Sequence, residues 1–379
     1  MLKEQITSAT VAINSMALEK KARGETVYNF AGGDPILPSH PLVVEEVGRA
    51  LQSQLVLYPP VAGILELREL AARWMNEEYN CAYTVDNTLV TAGGKFALFA
   101  ACQILLKEGD DVLIPAPYWV SYPQIAKLFK ANPVVLPTEE TNQWKLTPET
   151  LKKHLTARSK ILILNSAGNP SGNLYTKEEL QALLLIAKEA GIFVISDEVY
   201  SQIVYDDKEF FSCGALLDQV LVIQSCSKNF AMTGWRVGFA FGPKDLIRSM
   251  IALQGQSTTG ASTVSQWAAL AALKNHDEIA LSVRSTMQKR RDVFMDTFNE
   301  LFQCQLEKPA AALYAFTPVS ALKTTLTCSE LCTELMAKSN IAAVPGSAFG
   351  CGGYIRWAFA EEEHVLRQGL LALREALPR

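Results

Sequence analysis

The residues best suited to chemistry form one short stretch, Ser225-Cys226-Ser227-Lys228, and Arg236 follows soon after it. Two hydroxyls, an amine and a guanidinium therefore lie close together in the chain, and residues 225–236 contain no acidic side chain. Such a set suits an anionic ligand that carries a carbonyl group. A lysine among these neighbours, partly removed from water, has a lowered pKa and can act as a Schiff-base nucleophile. The simpler alternative for Lys228 is an ordinary surface lysine.

A carboxylate and an amide stand at the ends of two other apolar runs. Asp197 and Glu198 end the run IFVISDE, Tyr200 follows them, and Asn169 comes shortly after KILILN. A buried carboxylate is unfavourable unless a cation or a proton meets it, so Asp197 is a second candidate for the site. The proline after Asn169 disfavours helix there and holds the amide at the strand end. The simpler interpretation of Asn169 is a turn. For Asp197 and Glu198 it is a solvated strand end, and we favour this interpretation for Glu198.

A third candidate is the stretch Thr91-Ala92-Gly93-Gly94-Lys95, where a predicted strand meets a predicted helix. Two glycines permit a tight turn, and the free N–H groups at the start of a helix can bind an anion. This signal is weak alone, because a Gly-Gly pair between a strand and a helix is usually only a turn. The spacing also differs from that of a P-loop.

The elements that must position these residues are visible as seven short apolar runs separated by helical patterns: TLVTA, DVLIPA, NPVVLP, KILILN, IFVISDE, QVLVIQS and RVGFAFG. This alternation predicts a largely parallel sheet that is covered by helices on both faces. Open sheets of this kind form their ligand crevice at the carboxyl ends of the strands. Each candidate stretch follows a predicted strand, so we expect all of them to meet in one crevice.

The remainder of the chain predicts a second, smaller unit. After Pro243 the pattern is helical to about residue 300, and the short strands ALYAF, IAAV and YIRWAF then bracket a helix. The expected fold is α/β, with a large domain built on a mostly parallel seven-stranded sheet between helices, a smaller α+β domain and an N-terminal arm. We expect the arm and its helix over residues 1–30, packed on the small domain. The large domain should cover residues 31–280 and the small domain residues 281–379.

Composition excludes several classes of protein. The chain has 379 residues with 35 basic and 39 acidic side chains, a net charge of −4, which argues against a nucleic-acid partner. The eight cysteines are scattered, and for Cys328 and Cys332 we favour one turn of a packed helix over a metal site. No signal peptide is visible, and no apolar run approaches the roughly 20 residues that span a bilayer. We therefore expect a cytoplasmic protein without a metal and without a membrane partner.

Taken together, AGGK, NPSG, SDEVY and SCSKNFAMTGWRVG resemble the fold-type I pyridoxal-phosphate-dependent class I aminotransferases, in particular the bacterial aspartate aminotransferase branch. The resemblance runs nearly end to end, because further stretches follow in the family's order: SATVAIN, GGDP, YPPVAGILELR, PYWVSYP, QSTT, PGSAFG and YIRWAFA. Each stretch is a weak signal alone. The whole set in this order is specific, and it implies pyridoxal 5′-phosphate as the cofactor.

The resemblance implies roles for the residues around this cofactor. Lys228 matches the lysine that binds the cofactor covalently and then moves the substrate's Cα proton. Asp197 matches the carboxylate that keeps the ring nitrogen protonated. Tyr200 and Asn169 match two donors to the ring's 3′ oxygen. The remaining cofactor contacts match Gly94, Lys95, Ser225, Ser227 and Arg236 at the phosphate, Trp119 on the ring face, and Tyr58, which reaches the phosphate of the neighbouring subunit. The last match implies a homodimer.

The resemblance also implies how amino acid and 2-oxo acid substrates bind. Arg356 matches the guanidinium that binds the α-carboxylate, with help from Asn169 and the Gly33 backbone, while Trp119 borders the same space. Some aspartate aminotransferases bind the distal carboxylate with an arginine, but QGQSTT at the corresponding place contains none. In the branch that this chain resembles, a lysine after the Gly-Gly turn and a threonine of the N-terminal arm take that role. They match Lys95 and Thr10.

The implied reaction converts L-aspartate and 2-oxoglutarate to oxaloacetate and L-glutamate by a ping-pong mechanism. Broader specificity for aromatic amino acids or prephenate stays open, as does a β-lyase or decarboxylase on the same fold. A Ser-x-x-Lys acyl hydrolase lacks its partner motifs, and an aminotransferase-like transcriptional regulator would need a helix-turn-helix that the pattern does not predict. Two departures from the family lie near the site: we expect Ala311 to narrow the substrate mouth and Ala167-Gly168 to add freedom beside Asn169.

Overall fold

The computed structural model describes residues 9–53 and 56–377 of the chain. Its helices are α1 (Ala9–Ala22), α2 (Pro41–Ser53), α3 (Leu65–Tyr79), α4 (Gly94–Leu105), α5 (Ser121–Leu128), α6 (Pro148–His154), α7 (Lys177–Glu189), α8 (Cys226–Asn229), α9 (Lys244–Gly255), α10 (Thr263–Lys274), α11 (His276–Phe302), α12 (Cys328–Ser339) and α13 (Glu363–Ala376). Its strands are β1 (Tyr28–Asn29), β2 (Thr88–Thr91), β3 (Asp111–Pro115), β4 (Asn132–Leu136), β5 (Ser159–Leu164), β6 (Phe193–Asp197), β7 (Val220–Ser225), β8 (Gly238–Phe241), β9 (Tyr314–Pro318), β10 (Ile341–Ala342), β11 (Val344–Pro345) and β12 (Tyr354–Ala358). Within the described ranges, no helix has the length and apolar character needed to cross a membrane.

The seven predicted strands form one sheet in the order β2-β8-β7-β6-β5-β3-β4. The neighbours from β7 to β4 pair in parallel, whereas β8 runs antiparallel to both β2 and β7. The prediction of a mostly parallel seven-stranded sheet is confirmed. The exception has a local cause, because residues 226–237 contain only the one-turn α8, a short loop and a three-residue 3-10 helix, Thr233–Trp235. A parallel return would need a longer crossover, usually a complete helix.

Alternate residues of the central strands face opposite sides of the sheet. On β7, Val220 and Val222 belong to a buried cluster shared with α3, α7 and α10. Leu221 and Ile223 belong to another cluster, shared with α4, α5 and α9. Both faces are therefore covered by helices, as the continuous apolar runs predict.

The C-terminal region forms its own three-stranded antiparallel sheet, β11-β12-β9. Residues of this sheet, α11, α12 and α13 share a further apolar cluster, which includes Phe298 and Trp357. Strand β1 pairs in parallel with β10, and α1 contacts β10 and β11, so residues 9–29 lie against the C-terminal strands. The domain limits at residues 30 and 280 stay a prediction.

The structure places Cys328 and Cys332 on a helix. Helix α12 begins at Cys328, and its N-cap residue Thr327 forms a capping box with Glu330 in the first turn. Cys328 and Cys332 are both buried and unbridged on this helix, which is the packed arrangement that we favoured over a metal site.

Candidate active site

A pocket of about 460 Å³ lies at the carboxyl ends of the central strands, and β12 contributes to its wall. Its lining is Thr10, Gly33, Asp34, Gly94, Lys95, Trp119, Tyr122, Asn165, Asn169, Asp197, Val199, Tyr200, Ser225, Ser227, Lys228, Thr233, Gly234, Arg236, Tyr314 and Arg356. The structure therefore brings together every predicted site residue except Tyr58. These residues come from α1, the segment after β1, the strand ends, loops and helix starts at the carboxyl edge of the central sheet, and the C-terminal sheet.

Lys228 enters the pocket from α8, which begins directly after β7. The Ser225 hydroxyl caps this helix by accepting a hydrogen bond from the Ser227 N–H at 3.1 Å. The Lys228 Nζ donates to the Gly33 carbonyl oxygen at 2.6 Å, and Asp34 Oδ1 lies 3.9 Å from the same nitrogen. Burial lowers the pKa of Lys228 to about 8, although the nearby Asp34 acts in the opposite direction. More of Lys228 is therefore the neutral, nucleophilic amine near pH 7 than of a surface lysine.

Asp197 ends β6 and points into the pocket. The Tyr122 hydroxyl donates to Oδ2 at 2.7 Å, whereas Oδ1 is buried and has no hydrogen-bond partner among the described residues. Burial raises the pKa of Asp197 to about 6, partly offset by the bond from Tyr122. A buried carboxylate with a free oxygen is suited to accept a hydrogen bond from a cationic N–H group in the pocket.

Arg356 lies on β12 with its guanidinium held from several sides. Its Nη1 donates to Asn169 Oδ1 at 3.1 Å, and its Nη2 donates to the Ala31 carbonyl oxygen at 2.6 Å. The Cζ atom lies 4.4 Å from the centre of the Tyr314 ring. The Nε atom is buried without a hydrogen-bond partner in the part of the chain that the structure describes. A fixed guanidinium of this kind is suited to bind a carboxylate through two hydrogen bonds.

An anion cradle forms where β2 turns into α4. Gly93 has φ +86°, and a Cβ atom there would lie 2.7 Å from Arg236 Nη2, so the turn requires glycine. Arg236 Nη1 lies 3.5 Å from Ser227 Oγ, and the Ser225 hydroxyl donates to the same Ser227 oxygen at 2.9 Å. These donors, together with the first N–H groups of α4, make a site for a phosphate-sized anion.

Lys95, Trp119 and Thr10 form a further group on the pocket wall. Lys95 Nζ lies 4.8 Å from the centre of the Trp119 ring. Burial lowers the pKa of Lys95, and the positive charge of Arg236 lowers it further. Thr10, on α1, contributes a buried Oγ1 that has no hydrogen-bond partner within residues 9–53 and 56–377. An ammonium and a hydroxyl from distant parts of the sequence therefore line the same pocket.

The charges in the pocket are unequal in sign. Four lining residues are basic (Lys95, Lys228, Arg236 and Arg356), and two are acidic (Asp34 and Asp197). Such a cleft favours ligands with several negative charges. A phosphate, an α-carboxylate and a second carboxylate would each meet a cation here.

Three residues from the sequence analysis lie outside the pocket lining. Tyr58 is 90% exposed and is not part of the pocket lining in the described chain. The expectation that Ala311 narrows the substrate mouth is not supported, because Ala311 is completely buried in a bridge with Val204 and does not line the pocket. The solvated strand end favoured for Glu198 is wrong. Its side chain faces the opposite side of β6 from Asp197 and accepts hydrogen bonds from Ser196 Oγ at 2.8 Å and Cys213 N at 3.0 Å.

Sequence reasoning missed several residues that the structure brings into the pocket. Tyr122 donates a hydrogen bond to Asp197. The sequence shows this tyrosine close to Trp119, and a buried tyrosine hydroxyl needs a hydrogen-bond partner. Asn165 donates from Nδ2 to the Asp197 carbonyl oxygen at 2.7 Å and accepts from the Asn169 N–H at 2.9 Å. Its signal was an amide at the end of an apolar run. Asp34 lies in the GGDP stretch, where no role was predicted for the aspartate, and Tyr314 carried no pattern that separates it from other strand residues.

Comparisons with known proteins match nearly the whole chain. The model of the family described as Aminotransferase class I and II matches residues 25–371. The aspartate/prephenate aminotransferase of Thermus thermophilus is 35% identical over 98% of this chain and 96% of its own length. The aspartate aminotransferase of Bacillus subtilis is 32% identical over 96% of this chain and 94% of its own length. The solved structure of the Thermus thermophilus aspartate aminotransferase with maleate superposes with a TM-score of 0.93 at 35% identity, covering 98% of this chain and 97% of that one.

Proposed function

The chain belongs to the class I and II aminotransferases, and from this premise we propose that it transfers the amino group of L-aspartate to 2-oxoglutarate with pyridoxal 5′-phosphate as cofactor. One observation carries the proposal. A single pocket holds a buried amine on Lys228, a carboxylate with a free oxygen on Asp197, and separate cations at Arg236, Arg356 and Lys95. The reaction needs an amine to bind the cofactor, a partner for the cofactor's ring nitrogen, a site for its phosphate and two sites for substrate carboxylates.

The residues present fit the cofactor. The cradle of Gly94, Ser225, Ser227 and Arg236 would hold its phosphate, the Trp119 ring would lie on the face of its pyridine ring, and the free Asp197 Oδ1 would accept from its ring nitrogen. Bound there, pyridoxal phosphate would supply an electron-accepting ring that stabilises the charge left on the substrate Cα after deprotonation.

Asp197 is fitted to keep a ring nitrogen protonated. Its own pKa is raised by burial, so a cationic partner would replace the lost hydration and hold the carboxylate in its charged form. Tyr122 fixes the orientation of this carboxylate through Oδ2, which leaves Oδ1 directed at the pocket.

Lys228 would anchor the cofactor and move the proton of the substrate Cα. A base with a pKa near the working pH is efficient in both directions of proton transfer, and burial brings the pKa of Lys228 toward that range. The Gly33 carbonyl, which accepts from Nζ at 2.6 Å, would hold the amine once it is free.

Two cations would orient a dicarboxylic substrate. Arg356, with Asn169 and the Gly33 segment beside it, would bind the α-carboxylate common to all substrates. Lys95 with Thr10 would bind the distal carboxylate, which aspartate and 2-oxoglutarate share. Prephenate is a second candidate substrate, because the relative from Thermus thermophilus is named an aspartate/prephenate aminotransferase.

We also propose a cytoplasmic homodimer in which Tyr58 completes the phosphate site of the neighbouring subunit. The homodimer is supported by the 90% exposure of Tyr58 and by its neighbours Val56 and Leu57, which are exposed as well. Apolar side chains of this kind are commonly covered at an interface between subunits.

The test is a coupled assay of the protein loaded with pyridoxal phosphate. L-Aspartate and 2-oxoglutarate should give oxaloacetate, which malate dehydrogenase and NADH report, while Lys228→Ala should reduce turnover by many orders of magnitude. Parallel reactions with prephenate and phenylalanine measure breadth. Efficient transfer from other amino acids without transfer from aspartate would contradict the proposed substrate.

A further inference from the structure

Tyr314, the first residue of β9, contacts two parts of the pocket at once. Its ring centre lies 4.4 Å from the Arg356 Cζ, and its hydroxyl oxygen lies 2.8 Å from the hydroxyl oxygen of Tyr200. We propose that Tyr314 is a positioning residue that couples the two sites: its ring holds Arg356, and its hydroxyl donates to Tyr200. The inference rests on the proposed function, since it assigns Arg356 to the substrate and Tyr200 to the cofactor.

The sheet fixes the ring contact. Strands β9 and β12 are antiparallel, with Arg356 opposite Phe316 and Ala358 opposite Tyr314. Tyr314 and Arg356 are therefore diagonal neighbours on one face, where long side chains can meet. The Phe349 ring centre lies 5.1 Å from the same Cζ, so two aromatic rings flank the guanidinium. The ring of Tyr314 thus restricts the guanidinium before any substrate binds.

The tight packing around the hydroxyl fixes its position as well. Tyr314 is 1% exposed, and a Cβ atom at Gly33 would lie 2.9 Å from its hydroxyl oxygen. The Gly33 segment that accepts from Lys228 therefore lies directly beside this hydroxyl. The Gly33 segment therefore blocks movement of the oxygen on that side.

Either hydroxyl could donate at this distance, and the role proposed for Tyr200 selects the direction. A phenol has one O–H proton, so if Tyr200 donated to Tyr314 it could not also donate into the pocket. If Tyr314 donates, Tyr200 keeps its proton for an acceptor in the pocket. A donor at the Tyr200 oxygen also polarises the Tyr200 O–H bond and strengthens the bond that it makes next. The Tyr314 hydroxyl should therefore strengthen donation from Tyr200 to the cofactor's 3′ oxygen.

This coupling has a spectroscopic consequence. A donor at the 3′ oxygen stabilises negative charge there, so the linkage between Lys228 and the cofactor loses its proton at a lower pH. Tyr200 is near the charged groups of Asp197 and Arg356, and Tyr314 is near those of Asp34 and Arg356. The charged groups near Lys228 are Asp34, Lys95, Arg236 and Arg356. Tyr314→Phe leaves all of them in place and removes only the hydroxyl.

The first experiment follows the visible absorption of the bound cofactor as a function of pH. Tyr314→Phe should raise the apparent pKa of this absorption change by about 0.3–1 unit, as expected for the weakening of one neutral hydrogen bond. The matched control is Tyr205→Phe. Tyr205 is also buried, donates its hydroxyl proton to the Ala312 carbonyl oxygen, and has its ring 4.6 Å from Arg291 Cζ, but it does not line the pocket. The control should not move the absorption.

A double-variant cycle tests whether the effect passes through Tyr200. In a Tyr200→Phe background the acceptor is gone, so adding Tyr314→Phe should cause no further shift. A shift of full size in that background would overturn the coupling. So would an unchanged pKa in the Tyr314→Phe single variant.

The second experiment tests the ring with maleate, an unreactive dicarboxylate. Tyr314→Phe keeps the ring and should bind maleate within about twofold of the wild type, whereas Tyr314→Leu should bind it about 3- to 30-fold more weakly. Wild-type affinity in Tyr314→Leu would refute the role of the ring. Thermal unfolding shows whether the leucine variant folds; if it does not, the phenylalanine variant decides the proposal. A wild-type protein that shows the visible absorption but does not transaminate aspartate would refute the proposed function, whereas normal activity without a shift in Tyr314→Phe would refute only the coupling.

Discussion

Replacing Lys95 by methionine should change substrate selectivity more than it changes catalysis in general. The substitution removes the ammonium but keeps an unbranched stem of similar length against Trp119, whose ring centre lies 4.8 Å from Nζ. If Lys95 binds the distal carboxylate, only substrates with a second carboxylate should be affected. Substrates with one carboxylate should be nearly indifferent.

The size of the effect follows from the contact that is lost. A charge-assisted hydrogen bond contributes about 1.5–3 kcal/mol, and about 1.4 kcal/mol corresponds to a factor of ten. Burial already lowers the pKa of Lys95, so the distal carboxylate would also help to keep the lysine charged. The ratio of kcat/KM for aspartate to that for phenylalanine should therefore fall about ten- to a hundredfold.

The assay measures kcat/KM for both amino acids and, separately, the dissociation of the cofactor. Lys107→Met is the matched control, because it removes the same charge from an exposed position just beyond α4. Arg356→Lys is the comparison for the α-carboxylate and should weaken both substrates alike. Equal losses for aspartate and phenylalanine in Lys95→Met, with weaker cofactor binding, would show that Lys95 serves the phosphate. The assignment to the distal carboxylate would then be wrong.

Three further predictions address other parts of the molecule. Asp197→Asn should slow proton transfer at saturating cofactor, because an amide cannot hold a ring nitrogen in its charged form; unchanged kcat in rapid-mixing experiments would refute this role. Burial raises the pKa of Glu198 from 4.5 to about 7, so its contribution to stability is complete below about pH 4.5 and is lost as the pH rises through 7. Urea unfolding at pH 5 and pH 8 should show that Glu198→Gln removes about 1–3 kcal/mol of this pH dependence, and identical curves for both proteins would contradict it. Mixing Tyr58→Phe subunits with inactive Lys228→Ala subunits should restore one complete site per mixed dimer, whereas no recovery of activity would place Tyr58 in its own subunit's site or outside the site.

The strands and most of the pocket could be predicted because the signals were local. Asp197, Asn169 and Lys228 each follow an apolar run, and the rule that a parallel sheet collects its strand ends at one edge brings them together. The resemblance supplied Arg356 and Thr10, whose distance in sequence from the sheet hides their place in the pocket.

The failures have physical reasons. Glu198 follows Asp197 directly, so the alternation of a strand turns it to the other side of the sheet. The sequence does not show that Ser196 and Cys213 cover that side and bury the carboxylate. Tyr314 was missed because its value depends on the register between β9 and β12, which is a contact between strands distant in the chain.

The segment that bears Lys228 is too short to be a stable helix alone, since α8 has only four residues. Contacts with other parts of the chain must therefore stabilise this segment. Asn229, next to the lysine and fully buried, donates from Nδ2 to Ser201 Oγ at 3.2 Å and to Gln224 Oε1 at 3.3 Å, and its own Oδ1 accepts from the Gln202 N–H at 3.2 Å. Breaking these bonds would leave buried polar atoms without partners, which is unfavourable.

Ser201 follows Tyr200 directly, so this hydrogen-bond network connects the segment that bears Lys228 with the segment that bears Tyr200. Lys228 and Tyr200, two of the residues assigned to the cofactor, are thus connected through their neighbours in a buried network. Arg356 is supported differently, by β9, β12 and the C-terminal apolar cluster. Tyr200 and Tyr314 both belong to that cluster, so the hydroxyl contact between them is a direct link between the cofactor side of the pocket and Arg356. A change at that contact should alter the communication between the two sites while each stays folded, which is why its effect should be visible in the cofactor's absorption even where stability is unchanged.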